Sequence, residues 1–336
     1  MNTHSIAPFI QEFYPQYYSI ERYPVSQCAA FSKKDNEWGV FSNFGRTPIL
    51  VDGITFKNVE QLYQLMKFKD EEPVLLIYKA PNPKMPTLNI PASVDSTYMT
   101  SVSYSVDNGA TWNTTTIDNT AQTITTPTIN TGSKVLWKGV GKQMASSTSS
   151  GRYSQFSSTG NFSVSGNIMS LLYGDEFTDK VNFANASKFN FSRLFISAKI
   201  TNTDKLILPA TTLTASCYSY MFNACTSLTT APELPATTLE GSCYSFMFYN
   251  CTSLTTAPEL PATTLTASCY NSMFYGCSSL NYIKAMFTTT PGTHYTQSWL
   301  GTVSPTGTFV KNNAATWNVT GPYGIPTGWI VETASA

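Results

Sequence analysis

The chain has 336 residues, with 20 Lys+Arg balanced by 20 Asp+Glu and only 12% charged residues, about half the share of an ordinary soluble domain. Zero net charge without a basic block argues against nucleic acid as a partner, since binding its phosphates needs a clustered positive surface. A hydrophobic content of 42% and an aromatic content of 13% argue against disorder, and no run of 18 apolar residues predicts a membrane span. The start, Met1 to Tyr18, lacks a basic segment followed by an apolar core, so no signal peptide is expected.

Charge concentrates at the start. Residues 1–72 hold 7 of the Lys/Arg and 9 of the Asp/Glu. Here the spacing predicts one helix from Asn58. Asn58 is a good N-cap with Gln61 three residues on, and Val59, Leu62, Tyr63 and Met66 form its apolar stripe. Glu60, Gln64 and Lys67 share a second, polar face. Such a line is either an active-site rim or a solvated face.

The wording of this stretch is Phe41-Ser-Asn43-Phe44, then Val51-Asp-Gly53-Ile-Thr-Phe56, then Val59-Glu60-Gln-Leu-Tyr63-Gln64-Leu-Met66-Lys67-Phe68. It resembles the NADAR family, which hydrolyses N-glycosidic bonds of ADP-ribose and related ribose phosphates. That resemblance implies a catalytic role for Glu60, beside the developing oxocarbenium ion. It implies ligand contacts from Asn43 and Gln64, and a phosphate or sugar contact from Lys67. It covers residues 31–72 and stops before the second half of such a domain. A pocket lacking a wall cannot position a substrate. The segment 1–72 is therefore read as a truncated α+β piece that serves as an anchor or assembly element. Its Phe56/Val59/Tyr63/Met66 stripe calls for a virion or homo-oligomeric partner to cover it. With His4 and His294 the only histidines, no histidine-based triad or metal set is expected.

Prolines 73, 81, 83, 86 and 91 predict a linker over 73–90. Alternation resumes at Ser101–Val106 and runs into Asp107-Asn108-Gly109, a hairpin signal. Ser105-Val-Asp107-Asn-Gly109-Ala-Thr111-Trp112 resembles the Asp-box hairpin of sialidases. A single copy is a folding motif and not a catalytic centre. Further strand candidates at Gln122–Ile124, Lys134–Lys138 and Phe156–Leu172 predict an immunoglobulin- or fibronectin-like β module over 91–140 and a β-rich cap over 141–176. Asp95-Ser96-Thr97 matches a short O-glycosylation pattern, but an exposed turn is the preferred reading.

The last region repeats. Cys217, Cys243 and Cys269 lie 26 apart, as do Cys225, Cys251 and Cys277, and Met221-Phe222 recurs at 247–248 and 273–274. Cys225 to Leu239 recurs unchanged as Cys251 to Leu265. Weaker copies at Leu194-Phe195 and Trp299-Leu300 suit the ends of a repeat array. A step of 26 lies within the leucine-rich-repeat range. The layout Cys-x-x-Leu-x-x-Ala-Pro-x-Leu-Pro-Ala-x-x-Leu, then Cys-Tyr-x-x-Met-Phe-x-x-Cys, resembles the BspA-type leucine-rich repeats of gut and oral bacteria and their phages. This implies a β-solenoid over 177–300, one short parallel strand per step, a helical or turn segment around Tyr218–Phe222, and binding of surfaces or partner proteins. Residues 301–336 would be its C-terminal cap. Leu228, Leu254 and Leu280 should occupy one interior column. The six repeat cysteines read best as two columns of buried thiols. Disulfides remain open because the count is even, whereas tight zinc-type spacing is missing.

The fold class expected is mainly β and multi-domain: a leucine-rich-repeat β-solenoid preceded by a small β-sandwich and a short α+β fragment. The function expected is non-enzymatic recognition of a cell-surface protein or glycan, without a cofactor or metal. A phage tail, fibre or head-decoration protein is favoured over a cellular adhesin. The rival is an N-glycosidase using Glu60, with a targeting solenoid and a cytoplasmic location.

Overall fold

The computed structural model describes residues 86–334 apart from 131 and 184–186, together with the backbone of three earlier strands. The chain divides into two units, Met1–Glu71 and Glu72–Ala336. In the first, β1 (Ile49–Val51) pairs antiparallel with β2 (Ile54–Phe56). The two residues between them, Asp52 and Gly53, are a favoured pair for a two-residue hairpin. The expected helix from Asn58 lies outside the described residues, as does Cys28.

The second unit is mainly β. Its helical content among the described residues is one turn, α1 (Ser170–Tyr173), and a 3₁₀ turn at Gly174–Glu176. Its largest sheet is built from β3 (Leu75–Ile77), β5 (Met99–Ser105), β6 (Asn113–Thr116), β8 (Val135–Gly141), β10 (Phe162–Asn167) and β11 (Ile200–Asn202), in the order β11-β10-β3-β8-β5-β6. β12 (Leu206–Ile207) also pairs with β10. A smaller sheet has β4 (Thr87–Ile90) between β7 (Gln122–Thr125) and β9 (Gln155–Ser157). Leu88, Ile124 and Phe156 from the small sheet and Val102, Trp137 and Val164 from the large one join a single buried core.

This arrangement differs from the expected division. Strands β3 and β4 lie inside the proline-rich stretch expected to be a linker, and hydrogen bonding runs across positions 91, 140 and 176. Alternation along one strand reveals a buried face but not which distant strand completes the sheet. Gly139 explains one close approach: a Cβ there would lie 2.6 Å from the carbonyl of Leu171, so only glycine lets α1 sit on β8.

The sheets are stitched to the first repeat copy. Met144 and Phe156 donate backbone bonds to the carbonyls of Asn190 and Leu194, at 2.7 and 2.8 Å. Gln155 Nε2 donates to the carbonyl of Ile196 at 2.7 Å. An aromatic relay, Trp137–Phe156–Phe195 with centroids 5.1 and 5.6 Å apart, carries the core across the seam.

From there the 26-residue copies lie one on the next. Alternate residues donate forward: Tyr218, Tyr220, Phe222 and Ala224 to the carbonyls of Cys243, Ser245, Met247 and Tyr249. The residues between them, Ser219, Met221, Asn223 and Cys225, donate to the carbonyl three residues back. One set of bonds closes each coil and the other ties it to its neighbour, so nearly every N–H is paired without a helix or a regular strand. Positive φ recurs every fourth residue, at Ser216, Tyr220 and Ala224, then Ser242, Phe246 and Asn250, then Ser268, Ser272 and Gly276. Cys-Tyr, Met-Phe and Cys therefore fall inward at a period of four, and Cys217, Tyr218, Met221, Phe222 and Cys225 are fully buried.

The expected strand per step is reduced to single parallel bridges in the middle copies, at Asn202↔Thr230, Thr212↔Thr238, Thr256↔Tyr282 and Leu260↔Ala285. Ala-Pro-Glu-Leu-Pro-Ala explains this, because two prolines in four residues remove donors from any ladder. Regular parallel pairing returns at the end, where β13 (Tyr282–Ala285), β14 (Thr308–Lys311) and β15 (Ile330–Thr333) form a three-stranded sheet. Leu228, Leu254 and Leu280 hold equivalent interior positions. Each is 0% exposed, and each donates its N–H to the cysteine three residues earlier.

Candidate recognition surface

The interior of the copies fixes what is left outside. Phe195, Phe222, Phe248 and Phe274 stack face to face with centroids 5.5 Å apart. Tyr218, Tyr244 and Tyr270 form a second column, spaced 5.8 and 6.1 Å. The six cysteines are buried free thiols. Cys225, Cys251 and Cys277 each donate S–H to the carbonyl of Phe195, Phe222 and Phe248, at 3.1, 3.2 and 3.0 Å. Burial pushes the thiols of Cys217, Cys225 and Cys277 up to about 12 and that of Cys269 to about 11, and raises Cys243 and Cys251 well above the usual range. Burial thus keeps these groups in the protonated form at neutral pH and lowers their reactivity.

On the outer side of the same coils lies a second, half-buried aromatic strip. The Arg193 guanidinium sits 5.2 Å from the ring of Tyr153 and 4.1 Å from that of Tyr220. Tyr220 stacks on Phe246 at 4.6 Å, Phe246 leans on Tyr249 at 5.5 Å, and Tyr249 stacks on Tyr275 at 5.2 Å. Tyr275 lies so close over Gly301 that any side chain there would overlap its ring. Partial burial raises the Tyr220 hydroxyl, with Arg193 opposing. The Arg193 Nε is buried without a hydrogen-bond partner. This strip was missed from the sequence, although Tyr220/Phe246 and Tyr249/Tyr275 recur 26 apart between the buried pairs.

The proline-bounded segments present rows of exposed threonine: Thr211-Thr212, Thr237-Thr238 and Thr263-Thr264, with Thr229-Thr230 and Thr255-Thr256 alongside. Thr237 donates to the Thr211 carbonyl at 3.1 Å, and Thr288 to the Thr263 carbonyl at 2.8 Å, so the rows ride on the hydrogen bonds that join the coils. Charges are sparse among them, the Lys284–Glu259 ion pair at 2.9 Å being one.

The Asp-box-like turn closes the β5–β6 hairpin. Asp107 accepts from the Ser105 hydroxyl at 2.6 Å and from the N–H and hydroxyl of Thr111 at 2.9 and 2.6 Å. These bonds hold its carboxyl down at about 2. Asn108 and Gly109 take φ of 59° and 88°, as the sequence signal requires. Both carboxylate oxygens accept within the turn itself, as in a structural element. Asp95 is used likewise: it accepts from the N–H and hydroxyl of Thr97, forming an exposed turn.

Asn43, Glu60, Gln64 and Lys67 lie outside the described residues. Among the described residues no group of three His, Cys, Asp or Glu could hold a metal ion, and no helix is long and apolar enough to cross a membrane. Comparison with protein-family models, with curated proteins and with solved structures gives no match for this chain.

Proposed function

We propose that this protein is a non-enzymatic surface-recognition protein whose copies form a leucine-rich-repeat solenoid of BspA type. The solenoid binds a cell-surface protein or glycan, the sheets ahead of it act as spacer, and residues 1–72 attach it to a virion or a cell surface. One observation carries the reading. Rows of threonine and a strip of half-exposed aromatic rings, repeated at a fixed backbone step, cover a scaffold whose six repeat thiols are buried. Partly exposed aromatics supply contact area at low entropic cost, and the scarcity of charge leaves apolar and hydroxyl contacts to set affinity.

The test is binding of the full chain to a glycan array and to intact bacterial cells, against the double variant Tyr249→Ala/Tyr275→Ala. Saturable binding that drops at least about tenfold in the variant is expected, as for loss of two interface aromatics. Binding unaffected by the variant, or none to any cell surface, overturns the proposal.

A further inference from the structure

The last strand of the described chain occupies a position that the rest of the coil keeps covered. In the register of β13, β14 and β15, Ile283 pairs with Phe309 and Phe309 with Val331. Paired residues on adjacent parallel strands point to the same face. Ile283 and Phe309 are fully buried, whereas Val331 is 46% exposed. On the opposite face Ile330 is 65% exposed. The interior column therefore reaches solvent at β15, which is the edge of its sheet.

The opposite end of the stack is not open in this way. There β11 and β12 pair with β10, and β10 pairs with β3, which continues into β8, β5 and β6. A second copy cannot stack head to tail, because the receiving end is already occupied. An isologous contact, β15 against β15, is the arrangement that would join the interior columns of two copies end to end.

We propose that β15 is a homodimerisation edge, pairing antiparallel with β15 of a second copy about a two-fold axis through Val331. The backbone selects this register. Ile330 and Ala334 donate inward, to the carbonyls of Gly307 and Lys311 at 2.8 Å each. Because N–H and C=O groups alternate in side along a strand, those of Val331 point to the free edge. Two Val331 residues placed opposite one another exchange both of their hydrogen bonds. The same register sets Val331 against the partner's Val331 on the interior face, so the buried columns of the two copies become continuous. A shift of one residue would put Val331 opposite Glu332 and join an interior face to an exterior one. In the chosen register Glu332 faces Ile330 of the second copy, so the two Glu332 side chains do not oppose each other.

The test is light scattering of the full chain as its concentration is raised through the micromolar range, since one short strand pair gives a contact at the small end for specific complexes. The mass is expected to rise from 36.9 kDa toward twice that value. Val331→Pro removes an N–H that points away from β14 and a side chain that sits on the edge, so it should leave the fold intact and hold the mass at that of the monomer. Val331→Lys should do the same through charge, and unchanged circular dichroism in either variant shows that the fold survives. A wild type that stays monomeric throughout, or a well-folded Val331→Pro that still dimerises, overturns the proposal. Neither readout depends on any ligand, so the recognition reading above stands or falls separately.

Discussion

Phe248 and Phe246 are the same residue type, two positions apart in one copy, on opposite sides of the coil. Phe248 is fully buried and stacked on both faces, against Phe222 and Phe274 at 5.5 Å. Phe246 is half-buried and stacks on Tyr220 at 4.6 Å while leaning on Tyr249. Truncation of a buried phenylalanine costs about 3–5 kcal/mol. Loss of the two stacking partners places Phe248→Ala near the top of that range. Phe246→Ala gives up one stacked pair and partly exposed area, about 1 kcal/mol. Urea unfolding of the full chain, followed by circular dichroism, should separate the variants by at least about 2 kcal/mol at unchanged slope. Equal costs would refute the assignment of inner and outer positions, and with it the period-of-four reading of the coil.

The buried thiols yield two further expectations. Native protein should leave Cys217, Cys225, Cys243, Cys251, Cys269 and Cys277 unlabelled by a maleimide, and all six should react once the chain is unfolded without reductant. Because burial raises their folded-state pKa to about 11 or 12 from 9.0, the unfolded state loses protons first as pH rises. Their contribution is thus complete below about pH 9 and is lost progressively toward pH 12, so the thermal midpoint should fall over that alkaline window. Asp107, held at about 2 by its turn, works in the opposite direction: its stabilisation is present above its ordinary value of 3.8 and is lost as pH falls toward 2. Asp107→Ala should lower the thermal midpoint, and Asp107→Asn should lower it less, since the amide keeps one acceptor. Finally, the chain should release no ADP-ribose or ribose phosphate from nucleotide-type substrates, with Glu60→Gln matching wild type. Turnover abolished by that substitution would establish the glycosidase.

Much of this architecture was legible because the repeats are nearly identical. Cys217, Met221-Phe222, Cys225 and Leu228 recur at one step, so their shared burial follows from the spacing alone. The Asp107-Asn108-Gly109 turn was legible because its backbone needs residues that tolerate positive φ. The conformation of the coil was not legible. A period of four matches neither a helix nor a strand, and Tyr220 and Phe246 hold φ of 58° and 57°, which no local preference of bulky residues suggests. They are held there by forward hydrogen bonds that exist only once the next copy is in place. The extent of the sheets was hidden for a related reason: the pairing of β3 with β10 and of β4 with β9 joins segments more than sixty residues apart.

The two interleaved sets of hydrogen bonds bear on how such a chain can change length. The bonds between the middle copies recur at the same places in each step, and the interior columns repeat the same side chains. Inserting or deleting a whole copy at the unchanged seam from Cys225 to Leu239 and from Cys251 to Leu265 would regenerate each contact. The gene can therefore lengthen or shorten the outer strip in quanta of one coil, as a ruler gains marks, while both ends of the array keep their own partners.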